Sequence, residues 1–172
     1  MDPVGVEITR WAARVAVSAW LAWVILVLLG SRSRQARWAW TLGLVAHLLH
    51  VVFAFHVIHH WSHQAAWEHT AQMTERVVGF GWGAGVWVNY VFTLAWLVDV
   101  AWSWSGPVDR RRGTVHAWLA HGFSAFMFVN ATVVFGVWGG WKLLGVPAAI
   151  AVGVACHRGH SVAGEEPVKQ AE

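Results

Sequence analysis

Histidine is the residue whose number and spacing point most directly to chemistry in this sequence. The chain has 172 residues and contains 11 histidines, and most of them lie in one apolar stretch that ends near residue 63. The neutral imidazole is a preferred ligand of zinc, copper, iron and nickel ions, and it is also an axial ligand of haem iron. The histidines therefore predict a metal or haem site.

Four of the histidines follow the spacing i, i+3, i+4 and i+7, which brings them to one face of a continuous α-helix. The next polar segment can complete a ligand shell with Glu68, His69, Met73 and Glu75. Because histidine clusters are a cue for metal binding, we expect a Cu, Fe or Zn site here. The alternative is that they are interfacial side chains at a wet helix end. The six expected ligands are His56, His59, His60, His63, Glu68 and His69.

Two further histidines, His47 and His50, lie deeper in the same apolar stretch. Ionisable residues inside a membrane span are rare and functional by default, although a neutral imidazole can also bond across helices. His121 lies at a matching depth on a later apolar segment. We expect His47 and His121 to hold a haem b, with His50 as the alternative ligand. Asp99 either orients a ligand histidine or neutralises Arg110.

One short motif carries a family resemblance. His56-Val57-Ile58-His59-His60 resembles the H-x-x-H-H box of membrane fatty-acid hydroxylases and desaturases, and His47-Leu48-Leu49-His50 is distantly similar to another of their boxes. In that family the boxes assemble a di-iron centre on the cytoplasmic face. The resemblance covers a few residues of one helix, and a second H-x-x-H-H is missing. A di-iron enzyme is therefore the alternative to a metal or haem protein without that chemistry.

The segments that position these residues are those of a membrane protein. Hydrophobic residues make up 57% of the chain and charged residues 12%, about half of the roughly 25% typical of soluble domains. A helix needs about 20 apolar residues to cross the bilayer. We predict an all-α transmembrane bundle of four long helices plus a short fifth apolar segment, forming one domain over 1–172. The expected spans are about 10–30, 38–61, 77–104, 114–138 and 141–157.

Tryptophan and glycine give a second view of these segments. Most of the 15 tryptophans fall near span ends, as in the aromatic belts of membrane proteins. Deeper ones, such as Trp20, Trp23 and Trp96, are expected to pack between helices or to flank a cofactor. Gly81 and Gly85 form a G-x-x-x-G step, which favours close helix packing.

The arginines predict how the helices are oriented. Two arginine-rich loops, at 31–37 and 105–113, are separated by two spans, and such loops lie on the cytoplasmic side. We therefore expect a multi-pass protein of the cell inner (plasma) membrane with its N-terminus and the 64–75 segment outside. The C-terminus is expected to be cytoplasmic if the fifth segment crosses.

Charge and cysteine content narrow the remaining choices. A net charge of +3 and one cysteine argue against nucleic acid as a partner and exclude an intramolecular disulfide. The expected partner is the lipid bilayer, with other membrane subunits or a second copy of the chain as further possibilities. The sequence thus favours a membrane metal or haem protein with a redox or electron-transfer role. A di-iron enzyme and a non-catalytic accessory subunit of a larger complex are the alternatives.

Overall fold

The computed structural model describes residues 2–29, 34–106 and 114–133, with side chains throughout except at 28, 114–120 and 132–133. The described residues are almost entirely helical, which confirms the all-α prediction. Helix α2 continues directly into a five-residue π-helical segment, here called the π-turn. The elements in chain order are α1 (Pro3–Leu28), α2 (Arg34–Phe53), the π-turn (Ala54–Ile58), α3 (His63–Val78), α4 (Gly85–Trp104) and α5 (Thr114–Val133).

Three of these segments are long and apolar enough to cross a membrane: Pro3–Val27, Arg34–Ile58 and Gly85–Trp104. Helix α5 has 20 residues but does not meet the same criterion within the part of the chain described here. The expected fifth segment, 141–157, lies outside the described residues. The structure thus supports a membrane protein.

The start of the first span differs from the prediction because the chain carries its own helix cap. Helix α1 begins at Pro3 rather than near residue 10. The Asp2 carboxylate accepts hydrogen bonds from the backbone N–H groups of Val4 and Gly5 at 3.1 and 3.0 Å. An aspartate N-cap followed by proline at the first helical position is a strong helix start.

Four helices meet around an aromatic core. The buried side chains come from α1, α2, α4 and α5, and large rings dominate them. Gly43 on α2 allows the Trp96 ring of α4 to pack closely against the α2 backbone, since a Cβ at this position would lie 2.9 Å from that ring. The core residues are Trp20, Trp23, Val24, Ala36, Trp40, Leu44, Phe92, Trp96, Val100, Ala125, Met127 and Phe128.

The bundle has two chemically distinct ends. At one, the arginine end (34–41 and 99–106), the Arg37 guanidinium donates to the Gly106 carbonyl at 3.2 Å, and the Trp104 indole N–H donates to Thr41 Oγ1 at 3.0 Å. The flanks of both arginine-rich loops therefore lie at the same end. At the other, the histidine end (2–9, 50–78 and 79–90), α3 packs across the start of α4.

Helix α3 lies on a row of glycines. A Cβ at Gly83 would collide with the indole of Trp67. A Cβ at Gly85 would lie 3.1 Å from Thr70 Cγ2. Of the predicted Gly81–Gly85 step, Gly85 makes a close contact, whereas a Cβ at Gly81 would meet the Ala71 carbonyl at an ordinary 3.6 Å. Both lie in the 79–84 turn or at the first residue of α4 rather than in the middle of a span. The predicted span at 77–104 was wrong at its start. Helix α3 runs to Val78, Gly79 ends it with φ +84°, and α4 begins only at Gly85.

Candidate metal centre

The segment that carries most of the histidines is not one continuous helix. The His59 N–H donates to the Ala54 carbonyl at 3.0 Å, five residues back, and the Trp61 N–H donates to the Phe55 carbonyl at 2.8 Å. His60 and Trp61 then take left-handed backbone conformations, with φ of 48° and 60°. The expectation that His56, His59, His60 and His63 share one helix face was therefore wrong.

This turn is held in an unusual backbone conformation. Left-handed residues other than glycine each cost roughly 1–2 kcal/mol, and two such residues stand side by side here. Ser62 follows immediately and caps α3, its hydroxyl accepting from the Ala65 N–H at 3.2 Å. π-helical turns are frequent at functional sites, and strained backbone persists where the surrounding structure enforces it. Two independent backbone features thus mark the histidine end as a candidate site.

The turn sends four of the six expected metal ligands to separate places. The Trp61 indole N–H donates to His56 Nδ1 at 3.3 Å. His60 is exposed. His63 Nδ1 lies 2.9 Å from the Tyr90 hydroxyl, and the Glu68 carboxylate accepts from the side chain of Gln64 at 2.8 Å.

The remaining two expected ligands, His59 and His69, come together. Their ring centroids are 5.3 Å apart and the rings meet edge to face. One stands at the C-terminal end of the π-turn and the other in α3, so the contact joins two elements across the strained turn. Over 2–29, 34–106 and 121–131, however, no group of three or more His, Cys, Asp or Glu side chains is arranged to hold a metal ion.

Burial favours the neutral form of both imidazoles of this pair. Partial burial lowers the pKa of His59 below its ordinary value, and the neighbouring His69, His50 and His60 lower it further. Burial and then the charge of Arg76 lower the pKa of His69. Among the residues that the structure describes, nothing hydrogen-bonds to the ring nitrogens of either one. A neutral imidazole with a free nitrogen lone pair is the form that binds metal.

The interior histidines are engaged differently. His47 Nε2 lies 2.9 Å from Thr93 Oγ1, and the same hydroxyl donates to the Asn89 carbonyl at 2.8 Å. Since a hydroxyl has one proton to donate, His47 must donate its Nε2–H. His50 donates its Nδ1–H to the Thr9 carbonyl at 3.0 Å. The tautomers of both imidazoles follow from these bonds, and each uses one N–H to bind helix to helix.

His121 and Asp99 belong to one buried network. The His121 ring stacks on Trp23 with centroids 4.0 Å apart and meets the edge of Trp40 at 5.4 Å. The Trp40 indole N–H donates to Asp99 Oδ2 at 2.7 Å. Asp99 therefore reaches the expected ligand histidine through an intervening indole, and Arg110, its other expected partner, lies outside the described residues.

The two expected haem ligands are joined through tryptophans. His47 packs against Trp96 with ring centroids 5.5 Å apart, and Trp96 packs against Trp40 at 4.8 Å. Iron ligation by His47 Nε2 would replace its bond to Thr93. Ligation through Nδ1 would leave that bond in place, and the haem site stays a prediction.

Sequence reasoning overlooked the partners that decide these roles. Thr9 and Thr93 have no distinctive spacing, so only the packing of α1, α2 and α4 shows their contacts. Ser62 did carry a signal, because serine is a favoured helix N-cap and the amphipathic pattern of α3 follows it. Tyr90, which pairs with His63, is the single tyrosine of the chain.

No protein-family model, no curated protein and no solved structure matches this chain.

Proposed function

We propose that this chain is an integral membrane protein that binds a transition metal at its histidine end, in a redox or electron-transfer role. The observation that carries the proposal is the contact between His59 and His69, two imidazoles from different elements with ring centroids 5.3 Å apart. Among the described residues no hydrogen bond occupies their ring nitrogens, whereas His47 and His50 each donate one N–H to another helix.

The backbone supports the same location. A two-residue left-handed turn at His60 and Trp61 is costly, and it is what turns the chain so that α3 can bring His69 back to His59. A structural role alone would be served by any helix–turn–helix connection with glycine at these positions. The redox part of the proposal rests on the choice of metals that favour imidazole, among them copper and iron.

The membrane setting gives the proposal an orientation. We place the arginine end on the cytoplasmic side of an inner (plasma) membrane, because lysine and arginine accumulate in cytoplasmic loops. The metal site then faces outward. Single cysteines at Ser33 and Gln72, in a chain whose Cys156 is replaced, test this with a membrane-impermeant reagent. Labelling of Gln72→Cys alone from outside is expected, and labelling of Ser33→Cys alone reverses the orientation.

The metal proposal is tested by elemental analysis of the purified full-length protein. We expect one Cu, Fe or Zn ion per chain, lost when His59 and His69 are both replaced by alanine. The matched control replaces His56 and His60, the neighbouring histidines that point elsewhere, and should keep the metal. Equal metal content in both double variants contradicts the assignment.

A second candidate is a haem b in the bundle interior. It is favoured by an apolar groove of about 540 Å³ between α4 and α5, a size within the range of cofactor pockets. Neither His47 nor His121 lines the groove, but Trp40 and Trp96 do, and their rings contact His121 and His47. A Soret band in the visible spectrum, lost in His47→Ala and in His121→Ala, would establish this candidate.

The same measurements separate the other two alternatives. Stoichiometric iron without a Soret band would favour a di-iron centre, although the H-x-x-H-H residues His56, His59 and His60 have three different environments. A protein with neither metal nor haem would favour an accessory subunit or a homo-oligomer, in which tryptophan and glycine serve packing alone.

A further inference from the structure

We propose that the metal at the histidine end is Cu(I), bound by the imidazoles of His59 and His69 and the thioether of Met73. This inference rests on the proposed function and names the ion and a third ligand. No set of three histidine, cysteine or acidic side chains converges here within the described ranges. A methionine supplies the third donor.

Helix geometry puts the thioether beside the imidazole. Met73 follows His69 by four residues in α3, and Arg76 follows it by seven, so the three form one stripe along the helix. The Arg76 Nη1 donates a hydrogen bond to Met73 Sδ at 3.8 Å, which uses one of the two lone pairs of the sulfur, and the charge of the same guanidinium lowers the pKa of His69. Arg76 thus locates the sulfur and the imidazole in one neighbourhood, and the His59 ring adjoins it.

The donor set selects the ion. Two neutral imidazoles and one thioether contribute no negative charge, and thioether sulfur is a soft ligand that favours Cu(I) over harder ions. Helix α3 carries two acids, Glu68 and Glu75, and neither belongs to a group of His, Cys, Asp or Glu side chains arranged to hold a metal ion within the described residues.

The positive charge of Arg76 beside the site also favours Cu(I). The guanidinium of Arg76 repels any metal ion bound at His69 and Met73, and Coulomb repulsion grows in proportion to the charge of the ion. A monovalent ion meets half the repulsion that a divalent ion meets at the same distance. Neutral ligands next to a fixed positive charge are therefore better suited to Cu(I) than to Zn²⁺ or Cu²⁺.

The experiment is an anaerobic titration of the purified full-length protein with Cu(I) against a chromophoric Cu(I) chelator. We expect one Cu(I) per chain. Met73→Leu, which keeps the volume of the side chain, should weaken binding by about tenfold, equivalent to about 1.4 kcal/mol. His59→Ala and His69→Ala should each weaken it by about a hundredfold. The matched control is Met127→Leu, the same chemical change in the buried core, which should leave the affinity unchanged.

X-ray absorption of the Cu(I)-loaded protein gives an independent reading of the ligands, with one sulfur and two nitrogen neighbours expected and the sulfur absent in Met73→Leu. Equal affinity of Met73→Leu and the parent protein overturns the ligand assignment. Binding of Zn or Fe at His59 and His69 without Cu(I) binding overturns this inference but leaves the proposed function intact. The absence of any metal at the pair overturns both.

Discussion

The interior and the histidine end use the same side chain for opposite purposes. In the interior, His47 and His50 donate to Thr93 and to the Thr9 carbonyl, and each bond ties α2 to another helix. At the histidine end, His59 and His69 touch each other on a turn with strained backbone. Imidazole is thus a structural donor where a helix partner offers an acceptor, and a potential ligand where two rings meet without one.

The interior and the histidine end also differ in how they are packed. The interior is a set of interlocked rings, in which Trp40 contacts Trp23 and Trp96 at 5.0 and 4.8 Å. The histidine end depends on one helix, α3, lying on glycines at the start of α4. Changes in the interior should therefore alter stability, and changes at the histidine end should alter metal binding.

The largest effect is expected from Trp20→Ala. Trp20 is completely buried and its ring contacts Phe128 at 4.8 Å. Its removal should lower the free energy of unfolding by about 3–5 kcal/mol, measured by denaturant unfolding in detergent, with no change in metal bound per folded chain. Trp11→Ala is the control, because this exposed ring contributes a cation–π contact with Arg14 worth about 0.5–1 kcal/mol. Metal loss from folded Trp20→Ala would show that the two regions are coupled.

Gly83→Ala should have the next largest effect and should act on the other region. The added methyl group would occupy the place of the Trp67 indole, and overpacking of this kind costs about 1–3 kcal/mol. Since the strain falls on the contact that docks α3, metal affinity should fall by up to about a hundredfold, measured by competition with a chelator. Gly122→Ala, where a Cβ meets nothing within 4 Å, should bind metal as the parent does.

Trp40→Phe tests the buried network without removing the ring. The indole N–H that Asp99 accepts at 2.7 Å is lost, and leaving a buried polar group short of a partner costs about 1–3 kcal/mol. We expect a lower unfolding free energy with unchanged metal affinity. Trp38→Phe, on an exposed ring, should be close to neutral. Equal stability of Trp40→Phe and Trp38→Phe would contradict the role given to Trp40.

The smallest effect concerns a pKa. Burial is the larger cause of the lowered pKa of His69, and the charge of Arg76 is the smaller one. Arg76→Gln should therefore move the pKa only part of the way back toward 6.5, measured by NMR titration of the metal-free protein. Arg37→Gln, at the arginine end, should leave it unchanged.

The lowered pKa of His69 also makes the free energy of unfolding depend on pH. A histidine whose folded-state pKa is lowered takes up its proton in the unfolded state first. The contribution of His69 to the free energy of unfolding is therefore fully present above about pH 6.5 and is lost as the pH falls toward the lowered pKa. The loss should be smaller in Arg76→Gln than in the parent, and a larger loss would contradict the role given to Arg76.

The membrane fold could be predicted from the sequence because it depends on composition. Long uncharged runs are sufficient to define apolar helices, and the burial of His47, Asp99 and His121 agrees with their position inside those runs. The arrangement of the histidine end could not be predicted, because the apolar pattern continues past Phe53 without a glycine or proline to mark the break. The contact between His59 and His69 depends on how α3 packs against α4, which no local pattern encodes.

The π-turn at Ala54–Ile58 also predicts how related sequences differ in length. Such a turn accommodates one residue more than an α-helical turn, so the chain can gain a residue there while the segments on either side keep their relative orientation. Related chains are therefore expected in two lengths. In one, the residue equivalent to His59 follows the equivalent of His50 by nine positions, as it does here, and in the other it follows by eight. Both lengths would present the same imidazole to α3. Alignments that count residues without allowing for this insertion would place the ligand histidine one position away, on the wrong side of the helix.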